Sequence, residues 1–263
     1  MAKGKERLDK LLVQRGLAES RAKAQAYIMA GEVLVNGEPA LKAGMTVPLA
    51  AELTVKESLQ FASRGGLKLD GALDEFAIQV AGRVAADVGA CTGGFTDVLL
   101  QRDVARVYAI DVGYGQLNWR VRQDERVEVM ERTNARYLES LAEPVSLVVI
   151  DVSFISLRLI LPAVRRWLTP DFDVVALIKP QFEAGRQQVG KGGIVKDPAV
   201  HREVVEELLA WVGEVGMAPA GLIRSPIKGS DGNVEYLVWL CPPERATLAV
   251  PAAIDAVLAE ADA

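Results

Sequence analysis

The sequence predicts an α/β domain with a mostly parallel sheet, preceded by a small α+β domain. From about Arg83 onward, six apolar runs of strand length alternate with amphipathic stretches, which is typical of a parallel sheet covered by helices. The runs are residues 84–88, 107–111, 146–151, 173–179, 221–225 and 235–240. Before residue 60, shorter segments are separated by glycines, which indicates a second, smaller unit. A length of 263 residues fits two domains, since one domain takes roughly 150 residues.

The composition is that of an intracellular globular protein. Hydrophobic residues make up 50% of the chain, enough for a sizeable core, and the formal net charge is −5. The first ten residues contain no apolar run and no long apolar window occurs, so we expect neither a signal peptide nor a membrane span. Two cysteines exclude a disulfide framework, and with one histidine they are too few for a structural zinc site. We therefore expect a cytoplasmic monomer without a metal.

The expected domain boundaries follow this pattern. We expect a first domain, a linker, an α/β domain and a C-terminal helix or tail, over residues 1–60, 61–67, 68–243 and 244–263 in turn. One helix start is well marked, with Asp197 as N-cap and Pro198 at the first helical position. His201 falls in the first turn of that helix and is expected to be exposed to solvent. The tryptophans are expected to pack in the core, at positions 119, 167, 211 and 239.

The first domain is predicted to contain two helices and a hairpin. The first helix ends at Gly16 and carries three leucines on one face, and the second runs from Ser20 to Gly31. A hairpin then turns at Asn36 and Gly37, a pair of residues that favours the tight turn between two strands.

The two predicted helices of the first domain are strongly basic. Between residues 3 and 23, seven cations face three acids, a local net charge of +4 in a chain whose total is negative. Arg21 and Lys23 fall in the first turn of their helix, where the helix dipole disfavours cations. An external phosphate partner would explain this conflict, and an ordinary solvated helical face would carry the same charges.

The pattern of the first domain resembles the S-four-type RNA-binding domain, named for a small-subunit ribosomal protein. The similarity covers residues 7–47 and includes the paired helices, the Ser-Arg start of the second helix and the Val-Asn-Gly turn. It implies that a basic helical face binds structured RNA. The candidate RNA-binding residues are Arg7, Lys10, Arg21, Lys23 and, at the domain border, Arg64.

A glycine-rich turn, DVGACTGGFTD at residues 87–97, follows the first strand of the α/β domain. Its glycines allow backbone amides to approach a ligand closely. Asp111 closes the next strand, where nucleotide-binding folds place an acid against ribose hydroxyls. The spacing is not that of a dinucleotide or triphosphate site, and the opening acid would repel a pyrophosphate. We therefore favour S-adenosyl-L-methionine as the ligand over a dinucleotide, although a structural turn would look alike.

Four charged residues are expected to meet at the carboxyl edge of the sheet. Asp151 and Lys179 end two parallel strands, and Lys68 opens a helix antiparallel to the first strand. Glu235 reaches the same edge if the last strand is antiparallel. Edge salt bridges would give the same pattern. The chemistry that would use such a set is 2′-O methylation of RNA.

In that reaction the ribose hydroxyl is a poor nucleophile, so a positioned base must assist its deprotonation. Lys179 is the expected base, with Lys68 near enough to favour its neutral form. Asp151 and Glu235 would orient the two ammonium groups. Because the methyl donor is already a sulfonium, the protein mainly supplies alignment and deprotonation, and no metal is required.

The motifs SRGGLKL, DVGACTGGFTD, DVSFISL, LIKPQFE and NVEY, in this order, resemble the FtsJ-like 2′-O-methyltransferases and their Lys-Asp-Lys-Glu tetrad. With the first domain, residues 5–242 are similar to the TlyA family, historically labelled hemolysin A. The resemblance implies a Rossmann-like methyltransferase domain and 2′-O-methylation of cytidine in the ribosomal RNA of one or both subunits. The implied tetrad is Lys68, Asp151, Lys179 and Glu235. The implied S-adenosyl-L-methionine contacts are Asp87, Gly89, Ala90, Gly93, Gly94, Phe95, Asp111, Asn134 and Asp151.

Several alternatives stay open at the level of sequence. Cys91-Thr92 stands where the broader FtsJ-like pattern has Ala-Pro, which leaves the geometry of the turn open. A non-catalytic RNA-binding assembly factor would carry the same domains, and the hemolysin label raises a membrane-active protein, against which the lack of a basic amphipathic helix weighs. Base N-methylation is disfavoured because DVSF lacks the Asn/Asp-Pro-Pro-aromatic pattern. Phe182 is a base-stacking or core residue, and residues 190–196 form a mobile lid or a surface loop.

Overall fold

The computed structural model describes residues 4–18, 20–29, 33–40, 42, 44–55, 60–229 and 232–259. The chain divides into two compact units between Gln60 and Phe61. The first is a small α+β unit, and the second is an α/β unit with one large sheet. Among the described residues, no helix is both long and apolar enough to cross a bilayer.

The first unit packs two helices against short antiparallel strands. Strand β1 pairs with β4, and β2 pairs with both β3 and β5. Leu8, Leu12 and Ile28 are fully buried between the helices and strands. The elements are β1 (Lys5–Arg7), α1 (Leu8–Gln14), α2 (Arg21–Met29), β2 (Val33–Val35), β3 (Glu38–Pro39), β4 (Thr46–Pro48) and β5 (Leu53–Val55).

The predicted helices and hairpin of the first unit are present. Gly16 has a φ of 70°, a left-handed conformation that ends the turn after α1. Asn36 and Gly37 have φ angles of 53° and 84°, as a tight turn between β2 and β3 requires. The predicted end of the second helix at Gly31 lies outside the described residues.

The second unit alternates strands with helices over most of its length. Its elements are α3 (Gly66–Glu75), β6 (Val84–Val88), α4 (Gly94–Gln101), β7 (Arg106–Ile110), α5 (Trp119–Arg122), β8 (Val127–Met130), β9 (Val145–Ile150), α6 (Leu157–Arg165), β10 (Leu168–Ile178), α7 (Pro180–Glu183), α8 (Pro198–Trp211), β11 (Ala218–Arg224), β12 (Tyr236–Cys241) and α9 (Val250–Ala259). The six predicted runs coincide with β6, β7, β9, β10, β11 and β12. Strand β8 was not among them, because VEVM is short and its glutamate interrupts the apolar run.

The sheet has the order β11-β12-β10-β9-β6-β7-β8. The pairs formed by β6 to β10 are parallel, and β12 runs antiparallel to both of its neighbours. This confirms the predicted α/β class with a mostly parallel sheet and an antiparallel last strand. The strand order reverses between β6 and β9, and ligands of open α/β sheets bind in the crevice at such a reversal, beyond the carboxyl ends of the strands.

Both faces of the sheet are buried, which explains why its strands are continuous apolar runs. In β9, Val148 and Ile150 face a core formed with helices α6, α8 and α9. Leu147 and Val149 face the opposite core, formed with α3 and α4. The alternation follows from the period of two in a strand.

Residues 61–67 differ from the expected linker, because they pack inside the second unit. Phe61 is buried in its core, and the backbone N–H of Ala62 donates to Asp97 Oδ2 at 2.7 Å. Gly66 already belongs to α3, where a Cβ atom would stand 2.5 Å from the Phe61 side chain. The segment is therefore fastened to α4, and the second unit starts at Phe61.

Two further expectations were wrong, and each error concerns long-range packing. The N-cap Asp197 is present, but His201 is only 5% exposed. Its Nε2 atom lies 3.0 Å from the Val195 carbonyl oxygen and its Nδ1 atom 3.0 Å from the Tyr236 hydroxyl. Trp119 is 72% exposed instead of packed in the core, because it begins the short helix α5 at the surface.

Candidate active site

A cleft of about 420 Å³ opens at the carboxyl edge of the sheet of the second unit. It is formed by the segment before α3, the turn after β6, and the residues that follow β9 and β10 or precede β12. Its lining residues are Ser63, Arg64, Gly65, Lys68, Gly89, Ala90, Cys91, Thr92, Gly94, Phe95, Asp151, Ser153, Lys179, Ile227, Lys228 and Glu235. All four residues of the predicted tetrad therefore meet in one cleft beside the glycine-rich turn.

Lys179 and Asp151 form one of the two ion pairs of the cleft. Each follows the last residue of a parallel strand, β10 and β9 respectively, so both side chains reach the same edge. The Lys179 Nζ atom lies 2.6 Å from Asp151 Oδ1. The same Nζ donates a hydrogen bond to Ser153 Oγ at 2.9 Å.

Lys68 and Glu235 form the second ion pair. Lys68 lies in the first turn of α3, and Glu235 immediately precedes the antiparallel strand β12, as predicted. The Lys68 Nζ atom donates a directed hydrogen bond to Glu235 Oε2 at 2.6 Å. Both side chains are more than 90% buried, so the pair is shielded from water and each charge depends on the other.

The cleft also contains two cations near its opening. Arg64, predicted to bind RNA, and Lys228, which the sequence did not single out, are both exposed and line the cleft. Among the described residues that line the cleft, they add two positive charges to the two compensated ion pairs. Such an opening attracts a polyanion such as RNA.

Three residues of the glycine-rich turn have left-handed backbone conformations, among them Cys91, where the sequence left the geometry open. Gly89, Cys91 and Gly93 have φ angles of 87°, 47° and 89°. A Cβ atom on Gly89 would stand 2.4 Å from the Asp151 carbonyl oxygen, so only glycine allows the ends of β6 and β9 to approach this closely. Gly94 begins α4, and its amide region faces the cleft.

Asp111 and Asn134, two of the predicted cofactor contacts, both accept hydrogen bonds from backbone N–H groups. Asp111 accepts the N–H of Cys91 at 2.8 Å on Oδ2 and that of Gly113 at 2.6 Å on Oδ1. Each of these oxygens retains a lone pair that could accept a ribose hydroxyl. The exposed Asn134 caps a short 3₁₀-helix by accepting the Arg136 N–H at 3.0 Å. Its carboxamide oxygen therefore keeps one lone pair, and its NH₂ group also remains available to a ligand.

Asp87 is buried behind the turn and carries no cationic partner. Its Oδ2 accepts the Thr96 hydroxyl at 2.6 Å, and its Oδ1 has no hydrogen-bond partner among the described residues. Burial raises the pKa of this carboxyl to about 7, and the neighbouring carboxylates of Asp151 and Asp111 act in the same direction. Asp87 is fully buried and is not among the residues that line the cleft, so it supports the turn from behind.

The arginines of the first unit have an internal partner that the sequence reasoning missed. Asp9 in α1 is fully buried and accepts two hydrogen bonds from Arg7, at 3.0 and 2.8 Å. It also accepts one from Arg21 at 3.1 Å and one from the amide of Gln25 at 2.8 Å. The unfavourable position of Arg21 at a helix start therefore has an internal explanation, which removes one argument for an external phosphate.

Lys10 and Lys23 lie closer to solvent. The Lys10 Nζ atom is 4.0 Å from Glu6 Oε1, and Lys23 Nζ lies 5.2 Å from the centre of the Tyr27 ring. Both contacts are weak at an exposed site. The two lysines thus keep their charge available at the surface.

Exposed aromatic side chains follow three strands at the carboxyl edge of the sheet. Tyr114 follows β7, Tyr137 follows β8 and Phe154 follows β9, and they are 67%, 69% and 90% exposed. Phe154 has a φ of 63° and its ring lies 5.0 Å from that of Phe182, which is partly buried. Tyr114 and Phe154 each stand three residues after a predicted strand, which was an available signal, whereas Tyr137 follows a strand that was not predicted. Of the aromatic residues at this edge, the sequence reasoning considered only Phe182.

The sheet, the glycine-rich turn, the acid after β7 and the two ion pairs define a Rossmann-like methyltransferase domain. In agreement, residues 61–241 match the FtsJ-like methyltransferase family, and residues 6–53 match the S4 domain. The chain belongs to the TlyA family of FtsJ-like methyltransferases with an N-terminal S4 domain.

Individual relatives resemble the chain over nearly its whole length. It is 49% identical to the 16S/23S rRNA (cytidine-2′-O)-methyltransferase TlyA of Mycobacterium tuberculosis, over 95% of both chains. It is 52% identical to YqxC of Bacillus subtilis, described as a candidate rRNA methyltransferase, over 91% of this chain and 87% of that one. A solved structure from Streptococcus thermophilus, described as a candidate hemolysin, has a TM-score of 0.76 at 46% identity, covering 99% of this chain and 97% of that one.

Proposed function

We propose that this protein transfers a methyl group from S-adenosyl-L-methionine to the 2′-hydroxyl of a cytidine in ribosomal RNA, with Lys179 assisting deprotonation. The family and the name of the Mycobacterium tuberculosis relative support the reaction. The observation that carries the residue assignment is the Lys179 amine, buried in the cleft beside the glycine-rich turn and held by Asp151 and Ser153.

When bound, S-adenosyl-L-methionine supplies an electrophilic methyl group on a sulfonium. Asp87, the turn from Gly89 to Phe95 (with Ala90, Gly93 and Gly94) and Asp111 would hold this cofactor, with Asn134 and Asp151 at its margins. Lys179, as the neutral amine, accepts the proton of the 2′-hydroxyl while its oxygen forms the new bond to carbon. The products are the 2′-O-methyl nucleotide, the neutral thioether and the Lys179 ammonium ion, which Asp151 stabilises.

Lys68 and Glu235 contribute to alignment. Their buried ion pair fixes the wall of the cleft opposite Asp151, and it places a compensated charge beside the reacting lysine. Correct alignment of reactants is worth several kcal/mol of barrier in such transfers. This pair therefore acts without transferring a proton itself.

The first unit supplies RNA affinity in this proposal. Arg7, Lys10, Arg21 and Lys23 would contact phosphates of a ribosomal subunit, and Arg64 would contact the strand that enters the cleft. The protein would act as a monomer in the cytoplasm, where its substrate is assembled.

A test replaces Lys179 by alanine in the full-length protein. We expect transfer of labelled methyl groups to purified ribosomal subunits to fall by at least about a thousandfold, with binding of S-adenosyl-L-methionine retained in calorimetry. The matched control is Lys42→Ala, which removes an exposed lysine of the first unit. Primer extension at low nucleotide concentration would locate the 2′-O-methylated nucleotide.

Other outcomes separate the alternatives. Normal turnover by Lys179→Ala would reject the assigned base. Absence of labelling by the wild-type protein, on both subunits and naked RNA, would favour a non-catalytic assembly factor. Lysis of liposomes that persists in Lys179→Ala would favour a membrane-active protein.

A further inference from the structure

The segments that follow β9 and β10 are joined to each other at successive levels. Asp151 and Ser153 both contact Lys179, at 2.6 and 2.9 Å. One level further along the chain, the rings of Phe154 and Phe182 lie 5.0 Å apart. Next, Glu183 accepts the Ser156 hydroxyl at 2.6 Å and the Leu157 N–H at 2.8 Å. Of residues 151–157, only Asp151 and Ser153 contact the Lys179 amine, and the later levels join the two segments to each other.

The described contacts of the Lys179 amine differ in kind: an ion pair with Asp151, a hydrogen bond to Ser153, and the ring of Phe182, whose centre lies 5.9 Å from Nζ. Asp151 Oδ1 lies 2.6 Å from the amine as its ion-pair partner and supplies the opposite charge. Ser153 accepts a directed hydrogen bond and therefore fixes the rotation of the amine about its bond to Cε. With one N–H fixed on Ser153, the remaining directions on nitrogen are defined, and one of them faces the open cleft.

We propose that Ser153 is the positioning residue for Lys179: it orients the amine so that its lone pair meets the 2′-hydroxyl, a role that rests on the proposed function. The charged groups around this amine are Asp151, the Lys68–Glu235 pair and, at the opening, Arg64 and Lys228. Ser153 differs from these charged groups because its hydroxyl is a neutral hydrogen-bond acceptor. Its hydroxyl can accept an N–H from either protonation state of the lysine, so the orientation survives the proton transfer.

The backbone beside Ser153 supports this role. Phe154 has a φ of 63°, which is unfavourable for a side chain of its size, and strained residues persist where the surrounding structure holds them. The ring contact with Phe182 holds Phe154 itself. The hydrogen bonds that Glu183 accepts from Ser156 and Leu157 hold the residues that follow it. Burial raises the pKa of Glu183, which is satisfied by two donors and has no contact with the amine. It therefore fastens the segment without orienting Lys179.

The experiment compares Ser153→Ala with Ser153→Thr and Ser156→Ala in the full-length protein. We expect Ser153→Ala to lower kcat about tenfold, the effect of one lost hydrogen bond at the reacting group. The KM for ribosomal subunits and the dissociation constant of S-adenosyl-L-methionine should stay within about twofold. Ser153→Thr, which keeps the hydroxyl, should restore most of kcat. Ser156→Ala removes the hydrogen bond to Glu183, which does not involve the Lys179 amine. It should therefore lower the melting temperature and leave kcat nearly unchanged.

The pH profile distinguishes orientation from general loosening. The ammonium form of Lys179 is the better donor to Ser153, so loss of the acceptor should move the acid limb of the kcat profile to lower pH in Ser153→Ala only. A second readout needs no turnover: the rate at which an acylating reagent labels Lys179, followed by mass spectrometry across pH, should shift in the same direction.

The outcomes separate this proposal from the proposed function. If Ser153→Ala keeps wild-type kcat and labelling while Lys179→Ala is inactive, the role of Ser153 is rejected and the reaction stands. Equal losses of kcat in Ser153→Ala and Ser156→Ala, or failure of the threonine variant to recover, would also reject it. If the wild-type protein transfers no methyl group, the labelling profile alone decides whether Ser153 orients the lysine.

Discussion

Among the described residues, each unit buries one aspartate completely, and the two carboxyls have opposite surroundings. Asp9 in the first unit accepts hydrogen bonds from two guanidinium groups and one amide. The hydrogen bonds from Arg7 are the main reason why the pKa of Asp9 lies well below its usual range. Asp87 in the second unit has Thr96 as its hydrogen-bond partner, and burial raises its pKa to about 7.

The difference shows what each unit is built to do. Asp9 is satisfied internally and acts as a structural anchor, which holds two arginines at a fixed place on the surface of the first unit. None of the described residues gives Asp87 a cationic partner, and it lies two residues from Gly89, so its ionised form is costly in the fold. Incomplete satisfaction of a buried group thus coincides with the ligand site, and complete satisfaction with the scaffold.

The largest expected effect comes from removing the anchor. Asp9→Ala should lower the free energy of unfolding of the first unit by about 3 kcal/mol, because several charge-assisted hydrogen bonds are lost together. The loss is moderated because the arginines are about half exposed and can be hydrated once the carboxylate is gone. Urea unfolding of the full chain, followed by far-ultraviolet circular dichroism, measures this change.

The tryptophans allow the two units to be followed separately. All four lie between residues 119 and 239, so their fluorescence reports the second unit only. In Asp9→Ala this transition should stay where it is in the wild type, and Glu38→Ala, which removes an exposed acid on β3, should change neither probe. A displaced fluorescence transition in Asp9→Ala would mean that the anchor supports both units, and the comparison would fail.

The second effect is a dependence of stability on pH in the second unit. Because the pKa of folded Asp87 is about 7, above its ordinary value of 3.8, its contribution is fully present below about pH 4 and is lost as the pH rises through about 7. Relative to Asp87→Asn, which stays neutral, the wild type should lose about 2 kcal/mol between about pH 5 and about pH 7. Urea midpoints from tryptophan fluorescence at several pH values measure the difference.

Asp9 predicts the opposite sign and provides the control. Since its pKa is lowered, its contribution is present above the unfolded value of about 4 and disappears as the pH falls below it. Acidification from neutral pH should therefore first stabilise the second unit and only later destabilise the first. Parallel pH curves for wild type and Asp87→Asn would show that this carboxyl is ionised or hydrated in the fold.

How well the sequence predicted a feature depended on how far apart along the chain the residues that determine it lie. The tetrad was predictable because Asp151, Lys179 and Glu235 each stand at the end of an apolar run, and sheet topology brings strand ends together. Turn conformations were predictable for the same reason: they depend on a few neighbouring residues, as Gly89 and Gly37 show.

The features that the sequence missed depend on partners far along the chain. His201 has the pattern of a surface residue in a helical first turn, and only the approach of Tyr236 and Val195 buries it. In the sequence, Asp9 is one acid among several cations. Its structural role follows from the fold, which places Arg21 and Gln25 around it. The role of Ser153 likewise cannot be read from the local sequence, because it depends on β10 placing Lys179 beside it. Such contacts follow from tertiary packing, to which local pattern gives no access.

The smallest expected effect tests whether surface cations of the first unit serve RNA and not the fold. Lys10 is 45% exposed on its side chain and 4.0 Å from Glu6, so Lys10→Gln should leave both unfolding transitions in place. If Lys10 contacts a phosphate, the slope of log affinity for ribosomal RNA against log salt should fall by about one. Arg7→Gln, in contrast, should change both RNA affinity and the first transition, because Arg7 also holds Asp9. A salt slope that Lys10→Gln leaves unaltered would restrict the RNA-binding face to the arginines that Asp9 anchors.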